Sequence, residues 1–299
     1  MTNPLTKPLQ AAAAAGLVFF ASLGCAQDDF TASVSDDDKA KIAEAVPTEA
    51  PAEPKKDRKI LVFTKTGGFR HGSIPHGVYG MQQMGEKSGA YSMEHSEDPE
   101  VFRADNLERF DAIMMLNTTG EPFEDDERKA AFEGFVKEGK GLIGIHAASD
   151  TFYQWPEYGQ MIGGYFDGHP WGSGDTVTMH LDDPDHVCNA PFDAKGFAIK
   201  DEIYQYRPEP YSREKLRILY SLDHEKTDMS KGGMKREDGD YAVGWVQKYG
   251  DGRVFYSNLG HNNETYWNPE VMAHFLAGIQ FAVGDLEGDT TPSGPLPKP

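Results

Sequence analysis

Histidine and carboxylate side chains that suit acid–base catalysis or metal binding follow apolar segments throughout this 299-residue sequence. In "KGLIGIHAASDT", residues 140–151, an apolar run ends at His146, with Gly144 and Ala148 close on either side. In several α/β enzymes a nucleophilic Cys or Ser occupies such a sharp strand-to-helix junction between small residues. An imidazole at this position supplies a base or a metal ligand instead. His146 is therefore the first candidate catalytic residue.

Other polar side chains also follow predicted strands. They lie in "TGGFRHGS" (Arg70, His71), "NTTGE" (Asn117, Glu121), "KDEIYQY" (Asp201, Glu202, Tyr204) and "LGHNNETYW" (His261, Glu264). Ligands of open parallel sheets bind beyond the carboxyl ends of the strands. The sequence therefore predicts that His146, Glu202 and His261 meet in one cavity as acid–base residues, while Arg70 and His71 orient substrate oxygens.

A metal centre is a second interpretation of these residues. His146 and Asp150 are four residues apart at a predicted helix start, and so would share one face. Together with His169, Glu202 and His261 they would offer nitrogen and oxygen ligands suited to zinc or another divalent ion. No ligand spacing here is diagnostic, so a metal-free polar pocket stays open.

The elements that must position these residues alternate between strands and helices. "KILVFTKT", "FDAIMMLNTT" and "GLIGI" are predicted buried strands, and helical stripes of apolar residues follow the first two. After residue 175, five further β-like segments precede a last helix capped by Asn268. This order predicts an α/β, flavodoxin-like three-layer sandwich, with a mainly parallel sheet and added strands in the second half.

Composition divides the chain into four parts. Residues 1–25 combine Lys7, an apolar stretch and "ASLGC", which is the pattern of an export signal. Residues 26–57 are rich in Ala, Pro and charged residues, which predicts a disordered acidic linker, and residues 285–299 have the character of a flexible tail. Residues 58–284 are predicted to form one domain.

The segment "ASLGC" resembles the bacterial lipoprotein signal, in which the cysteine, here Cys25, is lipidated and becomes the new N-terminus. Ser22 departs from the leucine usual in that signal, so simple secretory cleavage stays open. Either way the protein is predicted to be exported, as a periplasmic protein or as a lipoprotein whose lipid anchor contacts the membrane.

Charge and aromatic content indicate the kind of partner. A formal net charge of −19 repels phosphate backbones, which argues against nucleic acid. Flat rings near the polar strand ends can cover the apolar face of a sugar, and the candidates are Trp155, Trp171 and Tyr204. In "HPW" Pro170 stiffens the loop, which would direct His169 into the cavity. These rings would suit a small-molecule carbohydrate, which is the partner that the family resemblance of the motifs below implies.

Longer motifs carry a family resemblance. "GFRH", "GIHAASDTFYQWPEYG", "GGYFDGHPW", "DEIYQY" and "GRVFYSNLGHNNETYWNPE" resemble the trehalose utilisation (ThuA-like) family over residues 59–283. That family has a fold similar to class I glutamine amidotransferases, and the resemblance implies catabolism of disaccharides and their 3-keto derivatives. His261 and Glu264 resemble the amidotransferase His–Glu pair, but His146 replaces its cysteine, so glutaminase activity by that covalent route is rejected.

These observations predict an exported protein that acts in carbohydrate catabolism on a disaccharide or keto-sugar. Isomerisation, elimination or hydration of a keto-sugar would proceed by acid–base or metal-assisted chemistry, and hydrolysis by metal-activated water is the rival reaction. A non-catalytic carbohydrate-binding or scaffold module is the alternative, because one fold hosts many functions.

Overall fold

The computed structural model describes residues 30–296, in which six α-helices cover a nine-stranded sheet. The helices are α1 (Asp36–Ala45), α2 (Ile74–Ser88), α3 (Ala104–Leu107), α4 (Asp126–Lys137), α5 (Pro156–Ile162) and α6 (Pro269–Ala282). The strands are β1 (Lys59–Phe63), β2 (Ser92–Ser96), β3 (Ala112–Leu116), β4 (Gly141–Ile145), β5 (Thr176–Leu181), β6 (Phe197–Lys200), β7 (Arg217–Leu222), β8 (Ala242–Tyr249) and β9 (Gly252–Ser257). The α/β class is confirmed.

The sheet is mixed, with strand order β2-β1-β3-β4-β9-β8-β7-β5-β6. The first five strands are parallel and follow the order of flavodoxin-like sheets, while all pairings from β9 to β6 are antiparallel. The expectation of a mainly parallel sheet is therefore corrected. A two-residue turn at Gly250 and Asp251 joins β8 to β9, and a connection this short permits only antiparallel pairing.

Each face of the sheet packs against its own set of helices. Ile60 and Val62 of β1 lie in the core under α1, α2 and α6, and Leu61 and Phe63 lie in the core under α3, α4 and α5. Strand β1 is thus buried on both sides, as its continuous apolar run predicts. The three-layer arrangement leaves the carboxyl ends of the parallel strands as the place for polar groups.

Helix α1 lies in the segment for which composition predicts a disordered linker, and the structure corrects that expectation for residues 30–57. Ser35 caps the helix by accepting a hydrogen bond from Asp38 N at 3.1 Å, and Ile42 is fully buried against the core that includes α2. Val34 and Val46 are buried with it. A few apolar residues on one side of a helix suffice here because the domain supplies the remainder of the core.

The described part of the C-terminal tail also lies against the domain, which corrects the flexible tail for residues 285–296. The buried Asp285 carboxylate accepts hydrogen bonds from Nε and Nη2 of Arg58, and Ser293 N donates to Leu216 O at 3.0 Å. The predicted export signal and Cys25 lie outside the described residues. Among residues 30–296, none of the helices has the length and apolar character needed to cross a membrane.

Replacing Ile42 with alanine is expected to lower the free energy of unfolding by roughly 2 to 4 kcal/mol, because the side chain is fully enclosed. Urea denaturation measures this, with the exposed neighbour Glu44→Ala as the control. If the Ile42→Ala protein is as stable as the control, the segment does not contribute to the core and the prediction of a linker stands.

Candidate metal centre

Three parallel strands carry three histidines to one edge of the sheet. His71 follows β1, His146 follows β4 and His261 follows β9, and these strands run in the same direction. Their carboxyl ends therefore open onto a common crevice. The predicted convergence of His146 and His261 is present, because the two rings lie 5.3 Å apart.

Glu202 reaches the same crevice by another route. It follows β6 at the far edge of the sheet, but the chain then turns back, and Ile203 pairs with Trp171 in an isolated bridge. The backbone N–H of Tyr204 donates to Asn258 Oδ1 at 3.1 Å, just beyond β9. This return path places the Glu202 carboxylate among the histidines.

His71, His146, Glu202 and His261 form a cluster in which one potential ligand atom of each lies within 4.8 Å of all the others. Oε1 of Glu202 lies 3.1 Å from Nδ1 of His261 and 3.8 Å from Nε2 of His146. His71, His146 and Glu202 are buried, and His261 is partly buried. Three imidazoles and one carboxylate are a ligand set that zinc and similar divalent ions accept.

The backbone at His146 forms the sharp junction that the sequence predicts. Its φ is 49°, in the left-handed region that non-glycine residues seldom adopt. Position 144 favours glycine, because a Cβ there would lie 2.4 Å from Ile162 Cδ1. The segment His146–Asp150 that follows is a short 3₁₀ helix.

The imidazole of His146 is held in one orientation. Nδ1 lies 2.7 Å from the carbonyl oxygen of Asn258, which can only accept, so Nδ1 carries the proton. The lone pair of Nε2 faces the cluster, where it accepts a hydrogen bond from Tyr204 OH at 3.1 Å. A hydrogen bond from the distal ring nitrogen to a carbonyl is what fixes metal-ligating histidines in proteins. Complete burial and the nearby His71 and His261 rings lower the pKa of His146, which keeps it neutral.

Among the described residues, Nδ1 of His71 is buried without a hydrogen-bond partner, whereas the buried Nδ1 of His261 pairs with Oε1 of Glu202 at 3.1 Å. Burial lowers the pKa of His71 to about 4, whereas the adjacent Glu202 carboxylate outweighs burial and raises the pKa of His261. An unpaired buried nitrogen is costly, and a bound cation would remove that cost. Two ligand atoms of a tetrahedral zinc lie about 3.3 Å apart, which is close to the separation of His261 Nδ1 from Glu202 Oε1.

Asp201 fixes the backbone that carries two members of the cluster. Its fully buried carboxylate accepts hydrogen bonds from Gly260 N at 2.7 Å and from Asn262 N at 2.9 Å, on both sides of His261. It also accepts from Thr265 Oγ1 and from the backbone N–H of Glu202. Burial raises the pKa of Asp201 to about 6, although these four hydrogen bonds oppose the shift.

The variant Asp201→Asn is expected to lose roughly 2 to 4 kcal/mol of folding stability, because an amide nitrogen would face backbone N–H donors. Thermal or urea unfolding measures the loss, and Glu264→Gln, an exposed acid on the same loop, is the matched control. Equal stability of the two variants would show that Asp201 does not hold this loop.

Other predicted site residues lie at the rim of the cluster. His169 is half exposed, and its Nδ1 lies 3.3 Å from Oε2 of Glu202. Asp150, a predicted ligand, is not a member of the cluster, and its carboxylate accepts a hydrogen bond from Tyr153 OH at 2.5 Å. Arg70 pairs with Glu97 at 2.8 Å. Glu264 is exposed, so the likeness to an amidotransferase His–Glu pair does not extend to its position.

Two predicted sugar-binding residues belong to the core instead. Trp155 packs against Phe152 and Tyr158, and Trp171 is fully buried with its indole N–H donating to Asp228 O at 2.9 Å. Their position near strand ends does not determine which way a side chain points, and large rings are ordinary core material. Tyr204 does contact the cluster, through a 3.1 Å hydrogen bond between its OH and His146 Nε2.

The sequence interpretation missed the role of His71 as a cluster member, since it assigned that residue to substrate oxygens. The sequence does contain a signal for this role, because His71 in "GFRH" follows the first buried strand just as His146 follows a later one. The contribution of the Asn258 carbonyl carried no sequence signal, because any residue type supplies one.

The fold and this cluster define an α/β protein with a candidate three-histidine, one-glutamate centre. Its sequence matches the ThuA family model, described as trehalose utilisation, over residues 59–282, and the chain belongs to that family. The resemblance seen in the sequence motifs is thereby confirmed, and membership implies a role in trehalose utilisation.

Solved structures share the fold. A ThuA-like protein from Bacteroides uniformis matches with a TM-score of 0.64 and 20% identity, covering 78% of this chain and 94% of that one. A ThuA-like protein from Parabacteroides merdae matches with a TM-score of 0.58 and 20% identity, covering 79% and 93%. A cytoplasmic protein from Salmonella typhimurium matches with a TM-score of 0.52 and 11% identity, covering 75% and 98%. No curated protein matches this chain in sequence.

Proposed function

We propose that this protein is a metal-assisted enzyme of disaccharide catabolism that acts on a disaccharide or its keto derivative. The observation that carries the proposal is the cluster of His71, His146, Glu202 and His261, in which Nδ1 of His71 is buried with no hydrogen-bond partner among the described residues. Membership of the trehalose utilisation family supports a sugar as the substrate.

In this proposal the four cluster side chains hold the ion, and groups at the rim move protons. A bound divalent ion would polarise a sugar carbonyl or lower the pKa of a water molecule. His169 is half exposed beside Glu202, so its imidazole can exchange a proton between solvent and a substrate oxygen. Burial raises the pKa of Tyr204, so its OH stays protonated and serves as a hydrogen-bond donor.

The lowered pKa values of His71 and His146, which keep both rings neutral, support ligation over general base catalysis by His146. Its Nδ1 proton is committed to Asn258 O and its Nε2 faces the cluster, so no ring atom of His146 is directed to solvent. The acid–base interpretation of His146 thus gives way in this proposal to a role as ligand, with His169 as the proton carrier.

The test is to incubate the purified protein with trehalose and with 3-keto-trehalose, before and after chelation and zinc or manganese readdition. Release of free monosaccharide would indicate hydrolysis or elimination, and loss of the carbonyl without cleavage would indicate isomerisation or hydration. We expect turnover of one of these sugars that chelation abolishes and metal restores. Sugar binding without turnover at any metal concentration would contradict the proposal and favour a non-catalytic binding module.

A further inference from the structure

Phe69 is the only large apolar side chain that is exposed among residues 30–296, with 66% of its surface accessible. A single exposed apolar residue is ordinary by itself. This one, however, lies in the loop after β1, and its ring contacts the ring of His71 edge to face at 4.8 Å. It is therefore an exposed aromatic surface directly beside the candidate metal centre.

The loop that carries Phe69 is hydrogen-bonded to the loop that follows β3. Thr119 Oγ1 donates to the Phe69 carbonyl at 2.7 Å, and Gly67 N donates to Thr119 O at 2.6 Å. Gly67 must be glycine, because a Cβ there would lie 2.7 Å from the backbone of Glu121. The ring of Phe69 is thus presented on a fixed backbone.

A second aromatic surface lies beside His146. The ring of Tyr204 lies 4.5 Å from that of His146, and the partly buried ring of Phe166 lies 4.4 Å from Tyr204. Tyr204 is tied to the end of β9, whereas Phe69 follows β1, and these strands lie on opposite sides of β3 and β4. Phe69 contacts the ring of His71 and Tyr204 contacts the ring of His146, and these two histidine rings lie 4.8 Å apart.

The charge around the cluster favours a neutral ligand. Among the described residues Glu202 forms ion pairs with histidines alone, and the nearby Arg70 is paired with Glu97. A net charge of −19 further opposes a sugar phosphate.

We infer that Phe69 seats the second ring of a neutral disaccharide, while the reacting ring lies over the cluster against Tyr204 and Phe166. This inference rests on the proposed function and adds to it the residue that binds the second sugar ring. Aromatic rings cover the apolar C–H face of a pyranose, and Phe69 offers such a face outside the centre.

Calorimetric titration of the metal-loaded protein tests the inference, with trehalose or 3-keto-trehalose as the two-ring ligand and methyl α-D-glucopyranoside as the one-ring ligand. Phe69→Ala is expected to weaken disaccharide binding about tenfold and to change binding of the one-ring ligand less than twofold. Phe69→Trp should bind the disaccharide as the wild type does, and Phe166→Ala should weaken the binding of both ligands.

The outcomes separate the inference from the proposed function. If the wild-type protein binds and turns over a disaccharide while Phe69→Ala binds both ligands as the wild type does, or weakens both equally, only the inference about Phe69 is overturned. If the wild-type protein neither binds nor alters any of these sugars, the proposed function fails and the inference fails with it.

Discussion

A His146→Asn protein is expected to fold, to lose its bound ion and to lose turnover by more than about 100-fold. Loss of a residue that only hydrogen-bonds to a metal ligand costs up to about 100-fold, and His146 is itself a proposed ligand. Asparagine tolerates the positive φ of 49° found at this position. Its amide can also donate to the Asn258 carbonyl as Nδ1 does, but it has no atom in the place of Nε2. The substitution therefore removes a ligand atom with little other change.

Metal content by elemental analysis and steady-state rates measure this effect, and urea denaturation checks the fold. His180→Asn, an exposed histidine on β5, is the matched control and should behave as the wild type. If His146→Asn keeps both its ion and its activity, His146 is a structural residue of the turn and no more.

The second large effect is expected for Glu202→Gln, which removes the single negative charge of the cluster at almost constant shape. Metal content and turnover should fall as for His146→Asn, because three neutral imidazoles alone bind a divalent ion less tightly. In metal-free protein the pKa of His261 should also fall, because the Glu202 carboxylate is what raises it against the effect of burial. Titration of the His261 ring by NMR measures the shift and its sign.

Asp150→Asn is the control for this charge change. Asp150 is a carboxylate at the same rim, but its partner is Tyr153 OH and it lies outside the cluster. It should retain one ion per chain and leave the pKa of His261 raised. Loss of the ion in Asp150→Asn with retention in Glu202→Gln would place the centre elsewhere.

The parallel half of the fold could be predicted from sequence because it is encoded locally. The apolar runs of β1, β3 and β4 are continuous, which is typical of strands buried on both faces. The sequence predicts the added strands of the second half but not that so much of the sheet is antiparallel. The positions of β5, β6 and β7 depend on pairing between distant segments, which local patterns do not report. Helix α1 was missed because Ile42 is buried only by contact with the rest of the domain, and composition alone does not report such contacts.

The histidines of the site could be predicted for a related reason. His146 and His261 each follow a parallel strand, so topology alone brings them together. Trp155 and Trp171 lie equally near strand ends in the sequence, yet both point into the core. Side-chain direction in loops depends on packing that single-sequence patterns do not encode. For the same reason the exposure of Phe69 and the hydrogen bonds of Asp201 could not be predicted.

The most direct test of the central claim is anomalous X-ray diffraction from crystals of the purified protein grown with zinc. A single peak bounded by Nε2 of His146, a carboxylate oxygen of Glu202 and the rings of His71 and His261 is the predicted result. Well-ordered density for these four side chains with no anomalous peak among them, at saturating zinc, would contradict the account.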